Sequence, residues 1–324
     1  MTLINDLRMI KLKSILLGLL FCSVAGISRA QQYLDQDVVH TVLWKISGND
    51  LSVPCFLFGT QHDQPFEIFQ SKYPQLDSVL SLADRLIVEN VPEEGASSLD
   101  EDLLFFSGKD STIKDLLKPG QYKRLAYYLH LKTRNNPEVF DRLIKMRPQL
   151  LLMAIPYLAA NEDDPDTGQV QMLDQGVVAL ASNGGKKILG LEDAHERSLA
   201  LLEVIKDKAA IQQMMRSING STARLKHDKK KGAGPRKVGT NTRGFTDRYE
   251  DLWIHYFFNR SIKGHDYGAV VYRNGRWMQK IPYLLEQGGQ LIFVGLDHLK
   301  GREGLIQQLL GLGYQVEPVN MGVR

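Results

Sequence analysis

An apolar run followed at once by Gly-x-x-His occurs twice in this chain, once near each end. LIFV at 291–294 leads into Gly295 and His298, and CFLF at 55–58 leads into Gly59 and His62. Four apolar residues bounded by turn signals suit a buried strand. Each histidine is therefore expected just past the carboxyl end of a strand, where open α/β sheets place their ligands. The second copy runs on into a helix with Leu305, Ile306, Leu309 and Leu310, a stop at Gly313 and a last strand over 314–316. The fold has to bring together two imidazoles more than two hundred positions apart.

The segments between suit a mixed central sheet. Residues 40–47 and 53–58 read as a hairpin around Gly48-Asn49-Asp50. A helix with Leu76, Val79, Leu80 and Ala83 precedes a strand, Leu86-Ile87-Val88, that ends in Glu89. From 110 to 160 the period is helical, with Pro119, Pro137 and Pro148 each opening a helix. After an acidic loop over 161–168 come a helix stopped by Asn183-Gly184-Gly185, a short strand at 187–189 leading to Glu192, and a helix carrying Leu199 and Leu202. An α/β (α+β) fold is expected, with flanking helices and a large helical insertion at about 100–260. The basic run KHDKKKGAGPRK at 226–237 reads as a solvated mobile loop. Tyr249, Leu252, Trp253, Tyr256 and Phe257 read as an aromatic helix face, and 268–272 as an alternating or buried stretch leading into Arg273-Asn274.

Residues 1–30 stand apart. Arg8, Lys11 and Lys13 precede an apolar stretch at 15–27 that ends in Ser28-Arg29-Ala30, the layout of a cleaved signal peptide. The run is too short to span a bilayer. An exported chain, periplasmic or secreted, is expected. The leader holds four of the 40 Lys and Arg and one of the 37 Asp and Glu, which leaves 36 of each. A formally neutral mature chain argues against a general nucleic-acid role. Cys55 alone would remain of the two cysteines, so neither an internal disulfide nor a thiolate metal cluster is expected. No later segment suits a membrane span.

Four strand-like runs thus lead to His62, Glu89, Glu192 and His298. Two imidazoles and one or two carboxylates at one sheet edge suit a divalent transition metal. They equally suit a general acid and base. Gly59 and Gly295 read as permitting a sharp exit from the strand and close approach of backbone to a ligand. Arg273 and Asn274 read as donors to a developing oxyanion. His195 reads as an exposed helix-start histidine, and Asp174 as facing solvent or capping a turn.

These residues resemble the TraB/PrgY/GumN family, which is similar to the Tiki metalloprotease domain and more distantly to ChaN and erythromycin esterase. The resemblance is carried by Gly59-Thr60-Gln61-His62, Val88-Glu89, Leu173-Asp174, Gly190-Leu191-Glu192, Arg273-Asn274 and Val294-Gly295-Leu296-Asp297-His298. It continues through Gly301, Gly304-Leu305 and the closing GYQVEP at 313–318. It implies an α/β core with a helical insertion. In the Tiki branch it implies a metal-dependent peptidase, with His62, Glu89 and His298 as ligands of a divalent ion (Mn, Co or Zn) and a peptide or small molecule as substrate. The relatives also imply two other readings: a non-enzymatic protein that sequesters a peptide or small ligand, or a metal-free esterase. Tyr272 stands where many relatives have Glu, Asp193 where Thr or Ser is common, and the basic run looks like an insertion.

Overall fold

The computed structural model describes residues 41–60, 65–91, 99–108, 110–160, 172–231 and 265–320. The fold is α/β, built on a mixed six-stranded sheet. Its strands are β1 (Leu43–Ser47), β2 (Cys55–Thr60), β3 (Arg85–Asn90), β4 (Lys187–Glu192), β5 (Gln290–Gly295) and β6 (Gln315–Pro318). Their order across the sheet is β4-β3-β5-β2-β1-β6. β4, β3, β5 and β2 run parallel to one another, and β1 is antiparallel to both β2 and β6. The β1–β2 turn uses positive φ at Gly48, Asn49 and Asp50, as the hairpin reading requires.

β5 lies between β3 and β2 and is buried at every position. A parallel strand covered on both faces reads as a continuous apolar run, which is why LIFV announces itself. Phe293 stacks on Phe58 of β2 at 4.8 Å, across the register pair that joins these strands. Cys55 is buried in the same core, and burial raises its thiol above the ordinary range.

Helices α1 (Phe66–Lys72) and α2 (Gln75–Leu82) link β2 to β3. The next helices are α3 (Glu101–Leu104), α4 (Pro119–Lys132), α5 (Pro137–Ile144), α6 (Pro148–Ala160) and α7 (Leu173–Asn183). α8 (Ala194–Val204) and α9 (Asp207–Lys231) follow β4. Leu125, Tyr128, Leu129, Leu143, Leu151 and Ile155 pack with Ile211, Met214 and Ile218 of α9 into a second core. Helices from either side of β4 in the chain thus form one helical body. The first part of the basic run, 226–231, is the end of α9 and not a loop. The rest of that run and the aromatic face at 249–257 lie outside the described residues.

The remaining helices are α10 (His265–Trp277), α11 (Ile281–Leu285) and α12 (Leu305–Gly311). α10 corrects the reading of 268–272 as an alternating or buried stretch, because all of it is helical. Gly268, Val270 and Val271 weaken a helical reading of that stretch. The glycine is a packing site: a Cβ there would lie 2.6 Å from Cγ1 of Val204 on α8.

Asp193 caps α8. Its side chain accepts from the Glu196 N–H at 2.7 Å, and Glu196 reaches back to the Asp193 N–H. Asp is among the residues that serve well at an N-cap. Lys280 donates to Glu196 Oε2 and to the Leu191 carbonyl, each at 2.8 Å, and ties α8 to β4. Burial pushes the Glu196 carboxyl up, but the bonds from Lys280 and Asp193 outweigh it and hold the group below its ordinary value. A carboxyl depressed in the folded state stabilises at neutral pH, and that contribution fades as pH falls through the glutamate range. Lys280→Met is therefore expected to lower the melting temperature at pH 7 and to matter less at pH 3. An equal loss at both pH values would count against this.

Candidate active site

Glu89, Glu192 and His298 come together at the carboxyl edge of the parallel strands. Glu89 lies in β3, Glu192 ends β4, and His298 closes a 3-10 turn, Leu296–His298, directly after β5. The side chains of Glu89, Glu192 and His298 are 12%, 3% and 4% exposed. β2 ends beside them, with Thr60 in register with Gly295. His62, two residues past Thr60, lies outside the described residues.

Arg273 of α10 is the hub. Its Nε donates to both oxygens of Glu192 at 3.0 Å, and Nη2 donates to Glu192 Oε1 at 2.5 Å and Glu89 Oε2 at 2.6 Å. Its Nη1 faces His298 Nε2 at 3.1 Å. Burial alone would make this guanidinium easier to deprotonate. The charge of Glu89 and the bonds and charge of Glu192 overcome that and hold it above its ordinary value. Arg273 is thus a fixed cation clamping two carboxylates, with Nη1 turned to His298.

Asn274 engages His298 directly. Its Nδ2 donates to the carbonyls of His298 at 3.0 Å and Glu303 at 2.9 Å, and its Oδ1 lies 2.6 Å from His298 Nδ1. The amide hydrogens are committed, so the network places the imidazole proton on Nδ1, donating to Oδ1. Nε2 then carries the lone pair that faces Arg273 and lies 3.8 Å from Glu89 Oε1. Glu89 Oε1 accepts from the Gly295 N–H at 2.7 Å. Asn274 orients the ring.

The glycine reading also changes. Gly295 has φ −54°, and Gly59 is not among the residues with positive φ, so neither needs glycine's conformational range. Gly59 serves close approach to protein. A Cβ there would lie 2.6 Å from Leu296 Cδ1 and 3.0 Å from Leu299 Cδ2, in the segment that carries His298. The glycine of the first motif makes room for the turn of the second.

Three further residues matter. Trp277 donates Nε1–H to Glu192 Oε2 at 3.1 Å and stacks on His298 with centroids 4.2 Å apart. Asp174, in the first turn of α7, accepts a hydrogen bond from Thr60 Oγ1 at the end of β2, so it is neither simply solvent-facing nor a turn cap. His195 is indeed exposed at a helix start, where its Nδ1 meets Asp100 at 2.7 Å. That hydrogen bond outweighs burial and holds the Asp100 carboxyl below its ordinary range. Trp277 could have been found by noting that it follows Arg273 by one helical turn, once that stretch is read as helix.

Two carboxylates against one guanidinium leave a net negative charge in a largely buried site. Nε2 of His298 and the Glu89 carboxylate are the ligand types a divalent cation takes, but here Nε2 faces Arg273 Nη1 and Glu89 accepts from Arg273 and Gly295. They supply two ligands and not a full set. Among the described residues no group of three His, Cys, Asp or Glu side chains could hold a metal ion.

A family model described as the TraB/PrgY/gumN family matches residues 42–232 and 268–318, which takes in Glu89, Glu192, Arg273 and His298. A curated protein named "Metalloprotease TIKI homolog", from Amphimedon queenslandica, is 25% identical over 202 residues. The match covers 56% of this chain and 38% of that relative. No solved structure matches. With most of its length matched by the family model, the chain belongs to the TraB/PrgY/gumN family.

Proposed function

We propose that this chain is an exported hydrolase, a metal-dependent peptidase acting on a peptide or protein. The observation that carries the reading is the cluster of Glu89, Glu192, Arg273, Asn274 and His298 at the carboxyl edge of four parallel strands. The similarity to a protein named as a metalloprotease supports it. Glu89 and His298 would hold a Mn, Co or Zn ion, with His62 as the third ligand expected from the sequence, and the ion would supply a water of lowered pKa near neutrality. Asn274 keeps the His298 ring in place with Nε2 turned to the site. Arg273 pairs with both Glu89 and Glu192 and fixes their orientation. Gly295 N–H fixes the other oxygen of Glu89. In this reading the carboxylate and imidazole would move protons at Oε1 and Nε2.

The experiment is elemental analysis of protein purified without chelators, with cleavage of a peptide library by wild type, His62→Ala, His298→Ala and Glu89→Gln. The expected result is bound divalent metal and cleavage that the three variants and chelator each abolish. Equal cleavage by wild type and variants would sink the reading. The contact of Arg273 Nη1 with His298 Nε2 favours a second reading, a metal-free esterase in which the guanidinium holds the place beside the imidazole. Ester hydrolysis that survives chelator would select it. Export is tested by N-terminal sequencing of the mature protein, expected to begin after Ala30.

A further inference from the structure

Trp277 is fully buried in the main core and also reaches the site. A buried indole N–H needs an acceptor, and this one takes the carboxylate Oε2 of Glu192 at 3.1 Å. Its ring stacks on His298 at 29° between planes, and the Arg273 guanidinium carbon lies 4.6 Å from its centroid. One rigid side chain therefore touches three of the clustered groups. It sits on α10 one turn beyond Arg273, so a single helix face delivers Arg273, Asn274 and Trp277 together.

We propose that Trp277 is a positioning residue acting through Glu192. A guanidinium offers a carboxylate two edges, Nε with Nη2 or Nη1 with Nη2, and both suit a bidentate pair. Here Glu192 takes the Nε–Nη2 edge, which leaves Nη1 for His298 and turns Nη2 to Glu89. The indole N–H on Oε2 fixes the carboxylate plane and so selects that edge. On the other edge the carboxylate would compete with His298 for Nη1. Trp277 thus sets the orientation of Arg273 without meeting the reacting atoms itself.

The test uses the full chain with 15N-labelled arginine, the Arg273 signals being identified by their loss in Arg273→Lys. In wild type the Nη1 and Nη2 groups are expected to give separate resonances, because fixed hydrogen bonds hinder their rotation. Trp277→Phe keeps a ring against His298 and removes the N–H, and it is expected to merge those resonances. Glu192→Gln, which leaves Trp277 in place, is expected to do the same from the other side and serves if Trp277→Phe does not fold. A kinetic arm rests on the hydrolase reading. Trp277→Phe should lower kcat about tenfold with KM within about twofold. Added to Glu192→Gln it should cost less than about twofold more, since both changes break one link. Unchanged Arg273 resonances in the variants, or losses in log kcat that simply add, would overturn the proposal. Absence of turnover in wild type would remove the hydrolase reading alone, and the arginine resonances would still decide the role of Trp277.

Discussion

Arg273→Met is expected to cost about 3–5 kcal/mol of folding stability, a large share of what a domain possesses. Arg273 is 14% exposed and pairs with Glu89 and Glu192, themselves 12% and 3% exposed. Methionine fills much of the same space but leaves two desolvated carboxylates facing each other without a cation. The cost comes from those stranded charges more than from the lost attraction, because a buried pair repays its desolvation only in part. The distinction is measurable. Arg273→Met with Glu89→Gln and Glu192→Gln removes the stranded charges, and it is expected to recover most of the loss. Urea denaturation of the single and triple variants reads both numbers. A single variant as stable as wild type, or a triple no better than the single, would mean that the carboxylates are not held by Arg273 in solution.

That dependence on one cation explains which parts of the site the sequence reveals. Strand ends are legible because a buried parallel strand must be apolar at consecutive positions, so the first polar residue after LIV or LIFV marks the sheet edge. Glu89 and the approach to His298 were readable on that ground, and the helix starts at Pro119, Pro137 and Pro148 were readable from proline's fit to a first turn. The helix facing that edge was not. Gly268, Val270 and Val271 give the front of α10 a pattern that helical propensity disfavours, and the reason for the glycine, contact with Val204, lies sixty-four positions away. Without that helix, nothing local places Arg273, Asn274 and Trp277 on one face. The contact made by Asp174 is illegible for a similar reason. Its partner Thr60 is 114 positions earlier, and no local spacing links them.

Gly59 and Gly304 offer a sharper test of how the two Gly-x-x-His segments fit together. A Cβ at Gly59 would meet Leu296 Cδ1 at 2.6 Å and Leu296 Cα at 3.1 Å. A methyl end can swing away, but the backbone behind it belongs to the turn holding His298. Gly59→Ala is therefore expected to cost about 1–3 kcal/mol, the usual range for an overpacked core, and to disturb the His298 contacts with Arg273 and Asn274. At Gly304 the added Cβ would strike the backbone carbonyl oxygens of Leu299 and Lys300, which have no rotamer to change. Gly304→Ala should therefore reach or exceed the top of that range. Trimming the neighbour separates the two cases. Gly59→Ala should cost less in a Leu296→Ala background than in wild type, since the colliding methyl is gone. No side-chain trim should relieve Gly304→Ala, because its clash is with backbone. If the Gly59→Ala penalty stays the same in both backgrounds, Gly59 is not making room for Leu296, and β2 meets the His298 turn by some other contact.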